Sequence, residues 1–142
     1  DDEITGISEI IYVFAKYVYL ENIVSSKKDG IAFRILEYID NNLDKDLSSS
    51  ALCDAFSVSR SNLYKILSPY ISGGIADHVM NKRIERAKYL LWHTEYSASE
   101  ISYMIGYYDV NYFKRVFSTK VGTSTYTYRM EHLICTEDTK SE

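Results

Sequence analysis

Apolar residues recur along this chain at spacings of three and four, the period of an α-helix, and short polar stretches interrupt the pattern. The chain holds one proline and six glycines, and helix-forming residues are abundant. This composition favours an all-α fold over a sandwich or a barrel. The spacing predicts helices over about 8–24, 31–42, 49–56, 59–67, 75–93, 97–105, 109–121 and 124–132.

Residues that commonly begin helices support these boundaries. Ser48, Ser59 and Asp109 are good N-caps for the helices that follow them. Ser97 stands three residues before Glu100, the spacing of a capping box. Four of the predicted helices therefore have a defined start.

Other positions predict where helices end and which faces are buried. The polar stretch 25–30 predicts a connector, and Gly106 stands where a helix end favours positive φ. Helical spacing places Ala55 and Met104 on buried faces. Most of the fourteen tyrosines, such as Tyr38, Tyr89 and Tyr103, are expected to pack in or beside the core rather than to stack on single-stranded bases.

The net charge conceals an uneven distribution. The whole chain carries a formal charge of −4, which argues against indiscriminate binding to nucleic acid or anionic membranes. Residues 1–30 and 131–142 each carry −3, whereas residues 31–130 carry +2. The acidity therefore lies at the two ends, and the middle of the chain is mildly basic.

Several classes of protein are not expected. No apolar run approaches the roughly 20 residues that span a bilayer, and the acidic start does not resemble a signal peptide. Cys53 and Cys135 make neither a disulfide framework nor a metal site, so we expect a reduced, cytoplasmic compartment. Because the chain lacks an initiator methionine, we expect it to be a fragment of a longer protein.

No catalytic or cofactor chemistry is indicated. His78, His93 and His132 lack the spacing of a metal site, and surface or capping roles suit them better. No nucleophile triad, phosphate loop or carboxylate pair is recognisable. We therefore expect no enzyme activity, no metal and no cofactor.

Two segments repeat one arrangement. Residues 47–67 and 96–117 each contain a capped short helix, a brief turn and a second capped helix. Such a pair is the outline of a helix-turn-helix, whose second helix enters the DNA major groove. The predicted fold is therefore two helix-turn-helix subdomains joined by the long helix 75–93 and preceded by an extra N-terminal helix.

The polar faces of the two second helices suit contact with DNA. Asparagine pairs well with adenine, and arginine and lysine with guanine or phosphate. No acid lies between Ser57 and Ile75, and the single acid at the second helix is the capping Asp109. The candidate DNA-binding residues are Ser59, Arg60, Ser61, Asn62, Tyr64, Lys65, Asp109, Val110, Asn111, Tyr112, Lys114 and Arg115.

A different interpretation stays open from these residues alone. Each helix is an ordinary amphipathic element whose charged face meets water. The same faces would also suit a helical protein-interaction or dimerisation module without sequence-specific DNA binding.

From about Ile31 to Met130 the chain resembles the DNA-binding domain of AraC/XylS-type transcription regulators. The resemblance lies in Leu47-Ser48, Val58-Ser59-Arg60, Leu63-Tyr64-Lys65, Arg83-Ile84-Glu85-Arg86-Ala87-Lys88, Leu90-Leu91, Glu100-Ile101, Gly106-Tyr107, Asn111 to Phe117, Gly122 and Tyr128-Arg129. The segments Leu52-Cys53, Ser59 to Lys65 and Gly74-Ile75-Ala76 are closer still to PocR-type regulators.

The resemblance implies seven helices, double-stranded DNA as partner and contact with RNA polymerase during activation. It places base contacts at Ser61, Asn62, Tyr64 and Lys65 and at Val110, Asn111, Lys114 and Arg115, with Tyr112 beside them. Three residues depart from the family pattern, namely Tyr107 for the usual Phe, Thr125 for the common Pro, and the small Ser61. The small Ser61 suggests that the helix over 59–67 contacts fewer bases than its counterpart in some relatives.

The resemblance also gives a domain division. Residues 31–132 form the DNA-binding domain, and 133–142 form an acidic tail that is expected to be disordered. Residues 1–30 are a connector, a dimerisation helix or a remnant of a sensor domain, and the inducer would bind a sensor absent from this chain. The apolar stripe expected to support a homodimer is Ile7, Ile10, Ile11, Phe14, Tyr17 and Val18.

Overall fold

The computed structural model describes residues 10–17 and 27–138, with side-chain surroundings described at 10–17 and 30–133. Residues 10–17 are helical, within the predicted first helix, and the rest of that prediction lies outside the described residues. Seven further helices follow in the described part of the chain, and all of its regular structure is helical, as predicted. They are α1 (Lys27–Asn41), α2 (Ser49–Phe56), α3 (Arg60–Leu67), α4 (Ile75–His93), α5 (Ala98–Met104), α6 (Val110–Val121) and α7 (Thr125–Asp138).

The helices form two units, each around its own apolar core. The N-terminal unit comprises α1, α2, α3 and the first half of α4. The C-terminal unit comprises the second half of α4 with α5, α6 and α7. The first core is built from Ile35, Ile39, Leu47, Leu52, Leu63, Leu67, Ile75 and Val79. The second is built from Ile84, Ala87, Leu90, Leu91, Ile101, Ile105, Tyr107, Phe113 and Phe117. The long helix α4 therefore belongs to both cores.

Side-chain caps start the helices where the sequence predicts them. The Ser48 hydroxyl accepts from the Ala51 amide at 3.2 Å. Ser97 accepts from the Glu100 amide at 3.1 Å, and Glu100 Oε2 accepts from the Ser97 amide at 2.8 Å, which completes the predicted capping box. These bonds satisfy amide groups that have no partner inside the helix.

A buried serine holds the turn between α5 and α6. Ser102 is fully buried, and its hydroxyl donates to the Tyr107 carbonyl oxygen at 2.6 Å. The Tyr107 amide in turn donates to the Ser102 carbonyl oxygen at 2.8 Å. Gly106 lies between them with φ of +90°, as its position predicted. The turn that aims α6 is therefore fixed by polar contacts as well as by packing.

An arginine from α7 caps the C-terminal end of α4. Arg129 Nε donates to the Leu91 carbonyl oxygen at 2.9 Å, and its terminal nitrogen donates to the carbonyl oxygens of Thr94 at 3.3 Å and Tyr96 at 2.6 Å. The last carbonyls of a helix carry partial negative charge and lack an intrahelical donor. Arg129 supplies the donors and so ties α7 to α4.

Two predicted boundaries are wrong. The connector predicted over 25–30 does not extend past 26, because α1 begins at Lys27 and includes Gly30. Polar residues are common in a first helical turn, where amide groups are free in any case, so polarity alone did not mark a loop. Similarly, α7 continues to Asp138 rather than ending at 132, so residues 133–138 are helical and not a disordered tail. No glycine or proline interrupts that segment.

Some predicted burial is also wrong. Ala55 is exposed, and Met104 retains 43% exposure. Tyr89 and Tyr103 are 51% and 58% exposed, whereas Tyr38 is half-buried with its ring edge-on to Phe56. Helices α2 and α5 are each two turns long, so only one narrow stripe of each can reach the core.

Candidate nucleic-acid interface

The helix α3 presents one polar face to solvent. Leu63 and Leu67 are fully buried, and they fix the rotation of the helix about its axis. The candidate residues Ser59, Arg60, Ser61, Asn62, Tyr64 and Lys65 are all exposed. All six side chains are therefore accessible to solvent on α3 and at its cap.

Local contacts order the start of α3. The Ser59 hydroxyl accepts from the Asn62 amide at 3.2 Å and lies 3.4 Å from the Ser61 hydroxyl. Tyr64 Oη lies 3.4 Å from the Ser49 hydroxyl on α2. The exposed face of α3 is thus held at its N-terminal end by its cap and across to α2 by a tyrosine.

The helix α6 has the same organisation. Phe113 and Phe117 are fully buried in the second core. Asn111, Tyr112, Lys114 and Arg115 are exposed, together with Asp109 at the cap, and the apolar Val110 is half-buried. Five of the six candidates on this helix and its cap are therefore accessible, and Val110 is accessible in part.

Aromatic and cationic groups form a connected row beside α6. The Arg115 guanidinium carbon lies 5.8 Å from the centre of the Tyr112 ring. Tyr112 meets Tyr107 edge to face with ring centres 5.7 Å apart. Burial raises the pKa of Tyr107, and the Arg83 charge beside it opposes that rise. The exposed Arg115 and Tyr112 are therefore supported by the buried ring of Tyr107.

Positive charge dominates both exposed faces. The carboxylate of Asp109 accepts from the Asn111 amide at 2.9 Å and the Tyr112 amide at 3.1 Å, which fulfils its predicted capping role. Its charge faces the positive end of the helix dipole. Lys114, Arg115 and Lys120 are exposed farther along α6 and have no acid beside them in the same helix.

Two of the three departures from the family pattern, Tyr107 and Thr125, are buried. Tyr107 is 8% exposed and stacks on Phe113 with ring centres 6.0 Å apart. Thr125 is 6% exposed at the first position of α7. Both residues pack inward, so neither alters the exposed faces of α3 and α6.

The residues considered for other chemistry do not converge. His93 and His132 have ring centres 6.3 Å apart, and His78 lies in the N-terminal half of α4. Within the described residues, no group of three or more His, Cys, Asp or Glu side chains is placed to hold a metal. Cys53 is half-buried beside the first core, and Cys135 lies outside the residues whose side chains are described.

Sequence reasoning gave no role to two residues that support this interface. In the sequence, Arg83 belongs to a motif of the family pattern, and Ser102 has no distinguishing neighbours. Arg83 bonds to carbonyl oxygens about 40 residues away, a contact that no local spacing reveals. Ser102 occupies an ordinary helical position, and only its complete burial marks it.

No helix within the described residues is long and apolar enough to cross a membrane.

Comparison with known proteins identifies the fold and the family. Residues 52–131 match a family described as a helix-turn-helix domain. The chain is 33% identical over 104 residues to the xylose operon regulatory protein of Escherichia coli K12, covering 73% of this chain and 26% of that protein. It is 32% identical over 127 residues to the transcriptional activator AggR of Escherichia coli, covering 86% of this chain and 46% of that protein.

A solved structure shares the architecture. The C-terminal domain of AraT, a response regulator from Geobacillus stearothermophilus, superposes with a TM-score of 0.69 at 26% identity. The match covers 75% of this chain and 88% of that domain. Closeness to PocR-type regulators is not tested by these matches and stays a prediction.

The matched relatives are longer proteins, and this chain spans about a quarter to a half of the length of the two described above. The family match covers more than half of this chain and includes α3 and α6, the second helices of the two helix-turn-helix units. The chain therefore belongs to the AraC/XylS-type family of helix-turn-helix transcription regulators.

Proposed function

We propose that this chain is the sequence-specific, double-stranded DNA-binding part of a transcription regulator, and that it contacts two adjacent major-groove segments with α3 and α6. One observation carries the proposal. Two capped helices, each fixed by a buried stripe, expose asparagine and basic side chains near their N-terminal ends. In helix-turn-helix proteins this end of the second helix meets base edges.

Chemistry suggests roles for the individual residues. Asn62 and Asn111 suit adenine, and Lys65, Lys114 and Arg115 suit guanine or phosphate. The half-buried Val110 suits a thymine methyl group. Ser59 and Arg60 lie at the start of α3, where a hydroxyl, a guanidinium and uncapped amides suit phosphate. Asp109 would contribute to DNA binding by capping α6, since its carboxylate occupies two amides there.

The other proposed contacts depend on shape. Ser61 is short, so it leaves room for a base without reaching far into the groove. Tyr64 and Tyr112 are 45% and 43% exposed, so part of each side chain is accessible to phosphate or base. The helix α4 would hold α3 and α6 about one turn of DNA apart, on the order of 34 Å.

We further propose that the regulator acts in the cytoplasm as an activator that contacts RNA polymerase, with its inducer bound by a sensor domain elsewhere in a longer protein. The support is the family, since the name of AggR describes that relative as an activator.

Selection of bound duplexes from a random pool tests the proposed function. A consensus with two half-sites is expected, and its binding should weaken steeply with salt because phosphate contacts release counterions. Failure to enrich any consensus would favour the alternative, a helical protein-interaction module. Weak, salt-sensitive binding without sequence preference would likewise contradict the proposal.

We also propose that residues 10–17 contribute to a homodimer. Ile10, Ile11, Phe14 and Tyr17 are between 57% and 69% exposed, and an apolar stripe of this kind favours burial against a partner. Ile7 and Val18 of the predicted stripe lie outside the described residues. Replacing both Ile11 and Phe14 with Asp should give monomers in sedimentation while the helical content is retained, and an unchanged mass would refute this role.

A further inference from the structure

Polar contacts join the two units beside the point where their cores separate. Along α4, the last residue of the first core is Val79 and the first residue of the second is Ile84. A cleft of about 540 Å³ opens between the units at this level, lined in part by Lys45, Met80 and Tyr112. The relative placement of the units therefore depends on α4 and on the contacts that cross the cleft.

Arg83 lies in that cleft and bonds to the N-terminal unit. Its Nε donates to the Leu43 carbonyl oxygen at 3.1 Å, and a terminal nitrogen donates to the Lys45 carbonyl oxygen at 2.9 Å. Both acceptors belong to the loop between α1 and α2, which leads directly to the Ser48 cap. The planar guanidinium makes the two bonds from two nitrogens held in one fixed orientation.

The same arginine contacts the C-terminal unit. Its guanidinium carbon lies 5.3 Å from the centre of the Tyr107 ring, in the turn between α5 and α6. Tyr107 continues to Tyr112 on α6 through an edge-to-face contact. Arg83 is therefore linked to the proposed base-contacting helix by two aromatic rings.

The backbones of the two units also approach each other closely, at Gly106 and Leu43. A Cβ atom on Gly106 would collide with the Leu43 carbonyl oxygen, so only glycine allows this approach between the units. Tyr108 Oη adds a contact of 3.4 Å to the Asp44 carbonyl oxygen. We call Leu43, Lys45, Arg83, Gly106 and Tyr107 the interunit clasp.

We propose that the interunit clasp, through Arg83, sets the angle and separation of α3 and α6 and thereby the spacing between the two DNA half-sites. Arg83 is a positioning residue in this proposal, since it acts through Tyr107 and the Leu43 loop rather than on DNA. The inference rests on the proposed function, because spacing has meaning only if both helices bind DNA.

Binding to duplexes of altered spacing tests the clasp. The selected site is compared with a version that has one base pair inserted between the half-sites, and with a version in which one half-site is scrambled. The insertion rotates one half-site by roughly a tenth of a helical turn. We expect the intact chain to bind the inserted site at least about tenfold more weakly than the selected site.

The test variants are Arg83→Gln and Gly106→Ala, and the matched control is Arg129→Gln. Arg129 also bonds to carbonyl oxygens at and after a helix end, but within the C-terminal unit alone. Both test variants should reduce the preference for the selected spacing to about threefold or less. Arg83→Gln should also leave half-site binding within twofold, whereas Gly106→Ala strains the positive-φ turn that leads to α6 and is judged on spacing alone. The control should keep the full preference. An unchanged preference in folded Arg83→Gln would overturn the proposal.

A distance measurement keeps the test independent of DNA. Spin labels at Ser50→Cys on α2 and Ser118→Cys on α6, both exposed positions, report the separation of the units in a chain carrying Cys53→Ala and Cys135→Ser. Arg83→Gln should broaden the distance distribution, and Arg129→Gln should not; equal widths would overturn the proposal. If no duplex is selected at all, the proposed function fails, while the distances still decide whether the clasp holds the units.

Discussion

Trp92 and Tyr128 stack face to face, with ring centres 4.8 Å apart and planes 10° from parallel, and the indole Nε1 donates to the Tyr128 carbonyl oxygen at 3.1 Å. His132, one turn later on α7, stacks on the same indole at 4.7 Å. The α4–α7 contact thus has an aromatic part beside the Arg129 cap.

Replacing Trp92 with Ala should lower the free energy of unfolding by about 1–2 kcal/mol, because both ring contacts and the indole bond are lost. Trp92 is the chain's single tryptophan, so denaturation is followed by far-UV circular dichroism rather than by fluorescence. Tyr126→Ala on α7, the helix that carries Tyr128, is the control, since that side chain is 72% exposed and should change stability by less than about 0.5 kcal/mol. Equal effects of the two substitutions would argue against a role for the stack.

Two substitutions at Asp109 distinguish the contribution of its hydrogen bonds to stability from the contribution of its charge. Asp109→Ala removes the acceptor of two α6 amides and should cost about 1–2 kcal/mol in chemical denaturation. Asp109→Asn keeps an acceptor oxygen and should stay within about 0.5 kcal/mol of the parent chain. A stable Ala variant would show that packing alone starts α6.

Arg115 should distinguish base contact from phosphate contact. Arg115→Ala is expected to weaken binding to the selected site by about 1–3 kcal/mol and to change binding to random duplex little. Lys120→Ala, at an exposed position in the last turn of α6, is the control and should affect both duplexes equally. Equal loss on both duplexes for Arg115→Ala would assign it to phosphate.

Gly30 offers a stabilising substitution. It lies inside α1, where a Cβ atom would meet nothing within 4 Å, so Gly30→Ala should raise the free energy of unfolding by about 0.5–1 kcal/mol. Gly122→Ala is the matched control, because that site also has space but has φ of +90°. The control should destabilise the chain by about 1 kcal/mol, and thermal melts of the two variants should shift in opposite directions.

His78 should make stability depend on pH. Burial lowers the pKa of His78, as does the Lys82 charge, with Asp40 opposing them. Among the described residues, none forms a hydrogen bond to its buried Nε2. The unfolded chain therefore takes up this proton first, and stability falls as pH decreases from about 6.5, the ordinary pKa of histidine, through the lowered folded value.

In His78→Gln this part of the pH dependence should be absent. The measurement is the free energy of unfolding at several pH values between about 7.5 and 5. Parallel curves for the variant and the parent chain would exclude the contribution.

Features set by neighbours in sequence could be predicted from it. The caps at Ser48, Ser97 and Asp109 depend on groups two or three residues away, and each is present as expected. Buried stripes on the longer helices were also predictable, because helical period and core contact coincide there.

Features set by distant parts of the chain were not predictable. The carbonyl acceptors of Arg83 and Arg129 lie 33 to 40 residues away, and nothing in the local sequence points to them. Exposure of Met104 depends on which helix lies opposite it, and the start of α1 at Lys27 depends on a helical turn that tolerates polar residues. The sequence predicted which side chains of α3 and α6 are exposed. It did not predict that Arg115 lies over the Tyr112 ring or that Tyr112 contacts Tyr107.

Because α4 contributes apolar residues to both cores, neither unit has a complete core without it. Melting of one unit would uncover the apolar side of α4 that faces it and would also free one end of the helix on which the other unit depends. The two units should therefore unfold cooperatively, in one transition rather than two. Such coupling would leave no populated state in which only one of the two helix-turn-helix units is formed.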